Sequence, residues 1–124
     1  MAIKKKVLVV EDEALVAMLL TKNLRAMGFD VCGTIASGEE AVQVARAKKP
    51  DIIIMDRRLA GKLDGLDASR QIRQFTQIPI VFVTGYIDEK INLEIDQIQP
   101  AMYLIKPVPI NEIKSAIDEM IGTG

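Results

Sequence analysis

Four short apolar runs constrain this chain more than any other feature, because each one stops at a residue able to do chemistry. KVLVV leads to Glu11-Asp12, DIIIM to Asp56, IPIVFV to Thr84 and AMYLI to Lys106. Runs this short and this rich in Val and Ile read as strands covered on both faces. With a further strand near 30–35, strands are expected near 5–10, 30–35, 51–55, 79–83 and 101–105. Helical patterns fall near 13–27, 38–48, 65–75, 88–97 and 110–121. Alternation of this kind implies an α/β fold, a parallel sheet with right-handed crossovers and helices on both faces. The strand ends then share one rim, where such sheets bind ligands.

The helices carry their own signals. Leu15, Met18, Leu19 and Met27 recur at helical spacing in the first, which stops at Gly28, a favoured C-terminal residue. Ser37 with Glu40 three positions later reads as a capping box for the second. Ile87, Ile91, Ile95 and Ile98 mark the fourth; Ile113, Ile117, Met120 and Ile121, with Pro109 just ahead, mark the fifth. All three stripes are expected to pack into the core.

Composition excludes several classes. The 124 residues suit one domain, and a net charge of −1 gives no reason to expect nucleic acid as a direct partner. No apolar stretch approaches the roughly 20 residues of a membrane span, and MAIKKK leads into a strand rather than a signal peptide. The single Cys32 fits a reducing, cytoplasmic setting and reads as a packing residue. The chain has no histidine, which excludes a Ser-His-Asp triad, a His-ligated zinc and a phosphohistidine of its own. Any phosphoryl donor must therefore come from outside.

At the shared rim, three acids, a hydroxyl and an amine converge. Crowded carboxylates repel one another, and a hard cation relieves them. A carboxylate at a strand end can also form an acyl phosphate, which makes Asp56 the candidate nucleophile. Taken singly, Asp56 reads better as a turn or capping residue, Asp12 or Glu13 as a cap for the first helix, and Thr84 as an ordinary strand-end threonine. The set together is specific.

VLVVEDE (7–13), IIIMD (52–56), DG (64–65), PIVFVTGY (79–86) and YLIKPV (103–108), in this order and spacing, resemble the receiver domain of two-component response regulators over essentially the whole chain, 1–124. The resemblance selects the flavodoxin-like strand order 2-1-3-4-5 with five helices in a three-layer α/β/α sandwich, and implies a single receiver domain without an output domain. It implies Asp56 as phosphoacceptor and Mg²⁺ as cofactor, held by Glu11, Asp12, Asp56 and the Arg58 carbonyl. Asp12 would bind directly and Glu11 through water. Thr84 and Lys106 would contact the phosphoryl group, the Lys106–Pro107 bond would be cis, and Thr84 with Tyr103 would form the switch pair. The implied role is a regulatory phosphoacceptor that assists its own phosphorylation and dephosphorylation rather than an enzyme. Its donor would be a histidine kinase or histidine phosphotransfer protein. Downstream would lie a protein partner, an attached output module or a second copy in a homodimer, reached through the face of helix four, strand five and helix five.

Two departures stand out. Ala60 takes the place of the proline that many receivers carry after the phosphoacceptor, and the loop to Asp64-Gly65 is one residue longer, with Gly61 and Gly65 expected to accommodate it. Arg57-Arg58 places two cations beside an anionic pocket, and Arg58 with Tyr86 would border the path of attacking water. The alternative from another class is a small haloacid-dehalogenase-like phosphatase, which also uses an Asp nucleophile, Mg²⁺, a hydroxyl and a lysine. It needs a second Asp two residues after the nucleophile, where this chain has Arg58.

Overall fold

The computed structural model of the chain describes residues 4–59 and 61–122. The strands are β1 (Lys6–Val10), β2 (Asp30–Ile35), β3 (Ile52–Asp56), β4 (Ile80–Thr84) and β5 (Ala101–Ile105). They pair in parallel in the order β2-β1-β3-β4-β5, as expected. The helices are α1 (Ala14–Ala26), α2 (Gly38–Lys48), α3 (Gly65–Arg73), α4 (Glu89–Asp96) and α5 (Ile110–Ile121). β3, central in the sheet, is buried at every position, which is why its sequence is apolar up to its last residue, Asp56.

Strand alternation divides the core into two layers. Leu8, Ile53 and Phe82 face Ala41 of α2, Ile72 of α3 and Ile95 of α4, while Val9, Ile54 and Val81 face Leu24 of α1 and Ile113 and Ile117 of α5. Three helices start on side-chain caps: Ser37 Oγ accepts from Glu40 N, Asp64 and Asp67 cap each other reciprocally, and Asp88 Oδ1 accepts from Ile91 N. The isoleucine stripes of α4 and α5 are buried as expected, with Ile87, Met120 and Ile121 at their half-buried edges.

The stripe expected for α1 is wrong. Leu15, Met18 and Leu19 are 80%, 65% and 61% exposed, and only Met27 of that set packs against the core. The helix instead buries Ala17, Thr21 and Leu24, with Leu20 half-buried. Small residues let α1 lie close to the sheet, where Thr21 Oγ1 meets Thr34 Oγ1 at 3.0 Å. Helical periodicity located a stripe, but the larger residues on it face outward.

The β3–α3 connection places the site. Gly61 takes φ +94°, a conformation a side chain would strain. Gly65 N–H donates to the Arg57 carbonyl at 2.8 Å, and a Cβ on Gly65 would collide with the Asp56 carbonyl oxygen. The expected accommodation of the longer loop is therefore found at both glycines. Residues 1–3, Ala60 and residues 123–124 lie outside the described residues, and so does the replacement of proline at position 60.

Candidate functional site

The strand ends bring the expected residues together. Asp56 ends β3 at 5% exposure; Glu11 follows β1 at 7%, and Asp12 beside it is exposed. One carboxylate oxygen from each of the three lies within 4.8 Å of the others. Lys106 Nζ stands 3.2 Å from Asp56 Oδ2 and 3.8 Å from Glu11 Oε1, bridging two of the acids. Its backbone N–H donates to the Thr84 carbonyl at 2.7 Å, and the Lys106–Pro107 bond is cis. Asp56 Oδ1 accepts from the Arg58 N–H at 3.1 Å, which fixes the carboxylate.

Neither Asp12 nor Glu13 caps α1 with its side chain. Glu13 occupies the N-cap without a side-chain cap bond, and Glu11 Oε2 accepts the Glu13 N–H at 3.0 Å. Above Asp56 and Lys106, a pocket of about 330 Å³ is lined by Arg58, Thr84, Gly85 and Tyr86. Tyr103 lies apart from it, half-buried on β5 opposite Phe82 and against the α2–α4 side of the core.

Burial pushes the Glu11 carboxyl up to about 7, helped by the Asp56 carboxylate beside it and opposed by the Glu13 N–H and Lys106. The donor set fits Mg²⁺, which takes hard oxygen ligands, usually one or two of them carboxylates with several waters.

A pH dependence follows. Below the ordinary glutamate value of 4.5, Glu11 is protonated in both folded and unfolded chains. As pH rises from there, the unfolded chain loses that proton while the fold keeps it, so stability falls, and the loss is complete above about 7. Melting temperatures measured in chelator between these limits should fall more in wild type than in Glu11→Gln, and Mg²⁺ should close the gap at the upper end. Parallel pH profiles for the two proteins would contradict this.

One residue has a place that sequence reasoning missed. Arg57 is only 9% exposed, and its Nε donates to Thr84 Oγ1 at 2.8 Å. Its guanidinium carbon lies 5.0 Å from the centre of the Tyr86 ring, with Arg58 at 5.7 Å. The two arginines therefore do not flank the pocket as a pair: Arg58 lines it, and Arg57 is turned inward. Strand alternation past Asp56 was the signal that could have separated them.

A family model described as the response regulator receiver domain matches residues 7–118. The chain belongs to the response regulator receiver domain family. Receiver domains are regulatory domains of two-component systems, which sets this one apart from the phosphatase alternative. It is 35% identical over 117 residues to the transcriptional regulatory protein PdtaR of Mycobacterium tuberculosis, covering 94% of this chain and 57% of that protein. The receiver thus spans little more than half the length of that relative.

Solved structures agree with the fold. The signal receiver domain of a modulated diguanylate cyclase from Desulfovibrio desulfuricans G20 matches with a TM-score of 0.86 at 34% identity, covering 96% of this chain and 94% of that one. The receiver domain of the sensor histidine kinase PA1611 from Pseudomonas aeruginosa PAO1 matches at 0.85 and 30% identity, covering 98% and 100%. That structure has a magnesium ion coordinated in its active-site cleft. Among the described residues, no helix is long and apolar enough to cross a membrane.

Proposed function

We propose that this receiver is a phosphorylation-dependent switch in which Asp56 accepts a phosphoryl group from an external phosphohistidine protein, with Mg²⁺ bound, and the face of α4, β5 and α5 changes. The observation that carries the reading is the buried Asp56 carboxylate, held by the Arg58 N–H and facing Lys106 Nζ at 3.2 Å. An Asp56 oxygen attacks phosphorus, the P–N bond of the donor breaks, and its electron pair stays on the imidazole nitrogen. Such transfer needs mainly positioning and charge neutralisation.

Glu11, Asp12, Asp56 and the Arg58 carbonyl are the residues that would hold Mg²⁺, with Asp12 bound directly and Glu11 through water. When bound, the ion supplies neutralisation of charge on the transferring phosphoryl oxygens. Lys106 pairs with Asp56 at rest and with the phosphoryl group afterwards. Thr84 donates its hydroxyl proton to a phosphoryl oxygen, and Tyr103 responds to the movement of Thr84. Incubation with acetyl phosphate and Mg²⁺ tests the core of this reading, with one phosphoryl group expected at Asp56 by mass spectrometry. Modification elsewhere, or none, would sink it.

The misread face of α1 fits the donor. A groove beside the acids runs between Val16 and Leu19 of α1 and Pro107, Val108 and Ile110, and it reaches Glu11, Asp56 and Lys106. A chain with no histidine needs its donor docked within reach of Asp56, and this apolar border is continuous with the site. The donor is a histidine kinase or histidine phosphotransfer protein. Leu19→Glu, at an exposed position, is expected to slow transfer from that donor roughly tenfold by placing a charge in an apolar contact. Its labelling by acetyl phosphate should stay within about twofold of wild type. Equal slowing with both donors would show damage to the site rather than to docking.

On the output side, Glu94 is paired with Arg70 at 2.6 Å and Lys114 with Asp118 at 2.8 Å, while Leu93 and Ile105 are exposed. A mixed-charge face with apolar members suits a downstream protein or an attached output module. DNA contact by a longer transcriptional regulator would then be made by such a module.

A further inference from the structure

We propose that Arg57 is a positioning residue that tethers Thr84 in its resting arrangement, and that this tether must be released before Thr84 can serve a phosphoryl group on Asp56. The inference rests on the proposed phosphorylation of Asp56 and adds a residue to it. Thr84 is 2% exposed, and its hydroxyl is committed twice. It donates its one proton to the Tyr86 carbonyl at 3.0 Å and accepts from Arg57 Nε at 2.8 Å. A phosphoryl oxygen can only accept, so it requires the very proton now given to Tyr86. The Arg57 Nε–H occupies the lone-pair side of the hydroxyl and so directs the proton toward Tyr86.

The tether is stiff. The Arg57 N–H donates to the Val83 carbonyl at 3.1 Å, and its carbonyl accepts from Gly65 at 2.8 Å, so the backbone is fixed on both sides. The guanidinium lies against the Tyr86 ring, in the loop whose carbonyl holds the Thr84 proton. One side chain thus bonds the Thr84 hydroxyl and packs on the ring of Tyr86. Arg57 Nη2 is buried with no hydrogen-bond partner among the described residues. A buried donor left without a partner carries a cost, which offsets what the Nε bond to Thr84 and the Tyr86 contact contribute. Removing the guanidinium should therefore not lower stability.

Arg57→Met keeps the length of the side chain and removes Nε and the charge. The three-bond couplings of the Thr84 side chain, measured in the free protein, should report one rotamer in wild type and averaging in this variant. Beryllofluoride, titrated with Mg²⁺ and followed by amide NMR, should bind Arg57→Met about five- to tenfold tighter, the net worth of one ordinary intramolecular hydrogen bond. Mg²⁺ affinity alone should stay within about twofold, and the melting temperature should not fall. The gain should vanish in the Thr84→Ala background, where there is nothing to release.

Several outcomes would overturn the tether: an unaveraged Thr84 rotamer in Arg57→Met, unchanged or weaker beryllofluoride binding, or an equal gain in the Thr84→Ala background. Weaker binding would make Arg57 an electrostatic support for the anion instead. Failure of wild type to bind beryllofluoride at all would overturn the phosphorylation reading. The Thr84 couplings need no beryllofluoride and would still decide whether Arg57 holds the threonine.

Discussion

Asp56→Asn is expected to abolish phosphoryl uptake while making the metal-free protein more stable. The amide keeps the shape of the carboxylate but is a far weaker nucleophile, so acetyl phosphate and Mg²⁺ should give no phosphorylated species by intact mass. Stability should move the other way because Asp56 is 5% exposed beside Glu11 and Asp12. Removing its charge relieves repulsion within the cluster, and Lys106 keeps Glu11 as a partner at 3.8 Å. The lost ion pair to Lys106 offsets only part of this, because a half-exposed ammonium contributes little when paired. The net gain should be about 1 kcal/mol, or about 3 °C in melting temperature. Millimolar Mg²⁺ should raise the melting temperature of wild type and leave the variant nearly unchanged. A variant that melts lower than wild type in chelator, or that still takes up phosphoryl groups, would contradict the assignment of Asp56.

The rim of acids, Thr84 and Lys106 was legible because a parallel sheet covered on both faces writes its strands as apolar runs, and each run ends where the chain leaves the covered sheet at its ligand-binding edge. Glu11, Asp56, Thr84 and Lys106 are all such endings. The outward face of α1 was not legible, because periodicity ranks a stripe of leucine and methionine above one of Ala17, Thr21 and Leu24. Which stripe packs depends on how closely the helix approaches β2, and Thr21 against Thr34 decides that only in three dimensions. Arg57 was misread for a related reason. Adjacency in sequence paired it with Arg58, whereas the alternation of side chains past Asp56 sends one arginine into the pocket wall and the other beneath Tyr86. Cys32 needed less: half-buried, with burial pushing its thiol pKa up, it packs against the core as expected.

Arg73→Ala is expected to cause the largest loss of stability among exposed or half-buried positions, without touching phosphoryl uptake. Arg73 is the last residue of α3 and donates to backbone carbonyls of two connecting segments at once. Its Nε donates to the Ile98 carbonyl at 2.8 Å, Nη1 to Ile78 at 2.7 Å and Nη2 to Pro100 at 2.7 Å. Burial lowers the pKa of this guanidinium, which ties the α3–β4 connection to the α4–β5 connection. Truncation removes a donor from these three carbonyls and from that of Thr76, which Nη1 also reaches at 3.4 Å, and of the four Pro100 retains the Ile80 N–H at 3.2 Å. The cost should be about 3 kcal/mol, less than the sum of three charge-assisted bonds because the site is partly exposed. For a domain of this size that is a fall of about 10 °C in melting temperature. Arg73→Lys should recover little, since one ammonium cannot reproduce a planar fork directed at three carbonyls. Phosphoryl uptake below both melting points should be unchanged, because Arg73 serves the N-terminal ends of β4 and β5. Asp56 sits at the opposite rim, about 15 Å along five-residue strands. A variant that melts like wild type would mean that water replaces the fork at no cost. Lost phosphoryl uptake in a folded variant would mean that the two rims are coupled through α4 and β5.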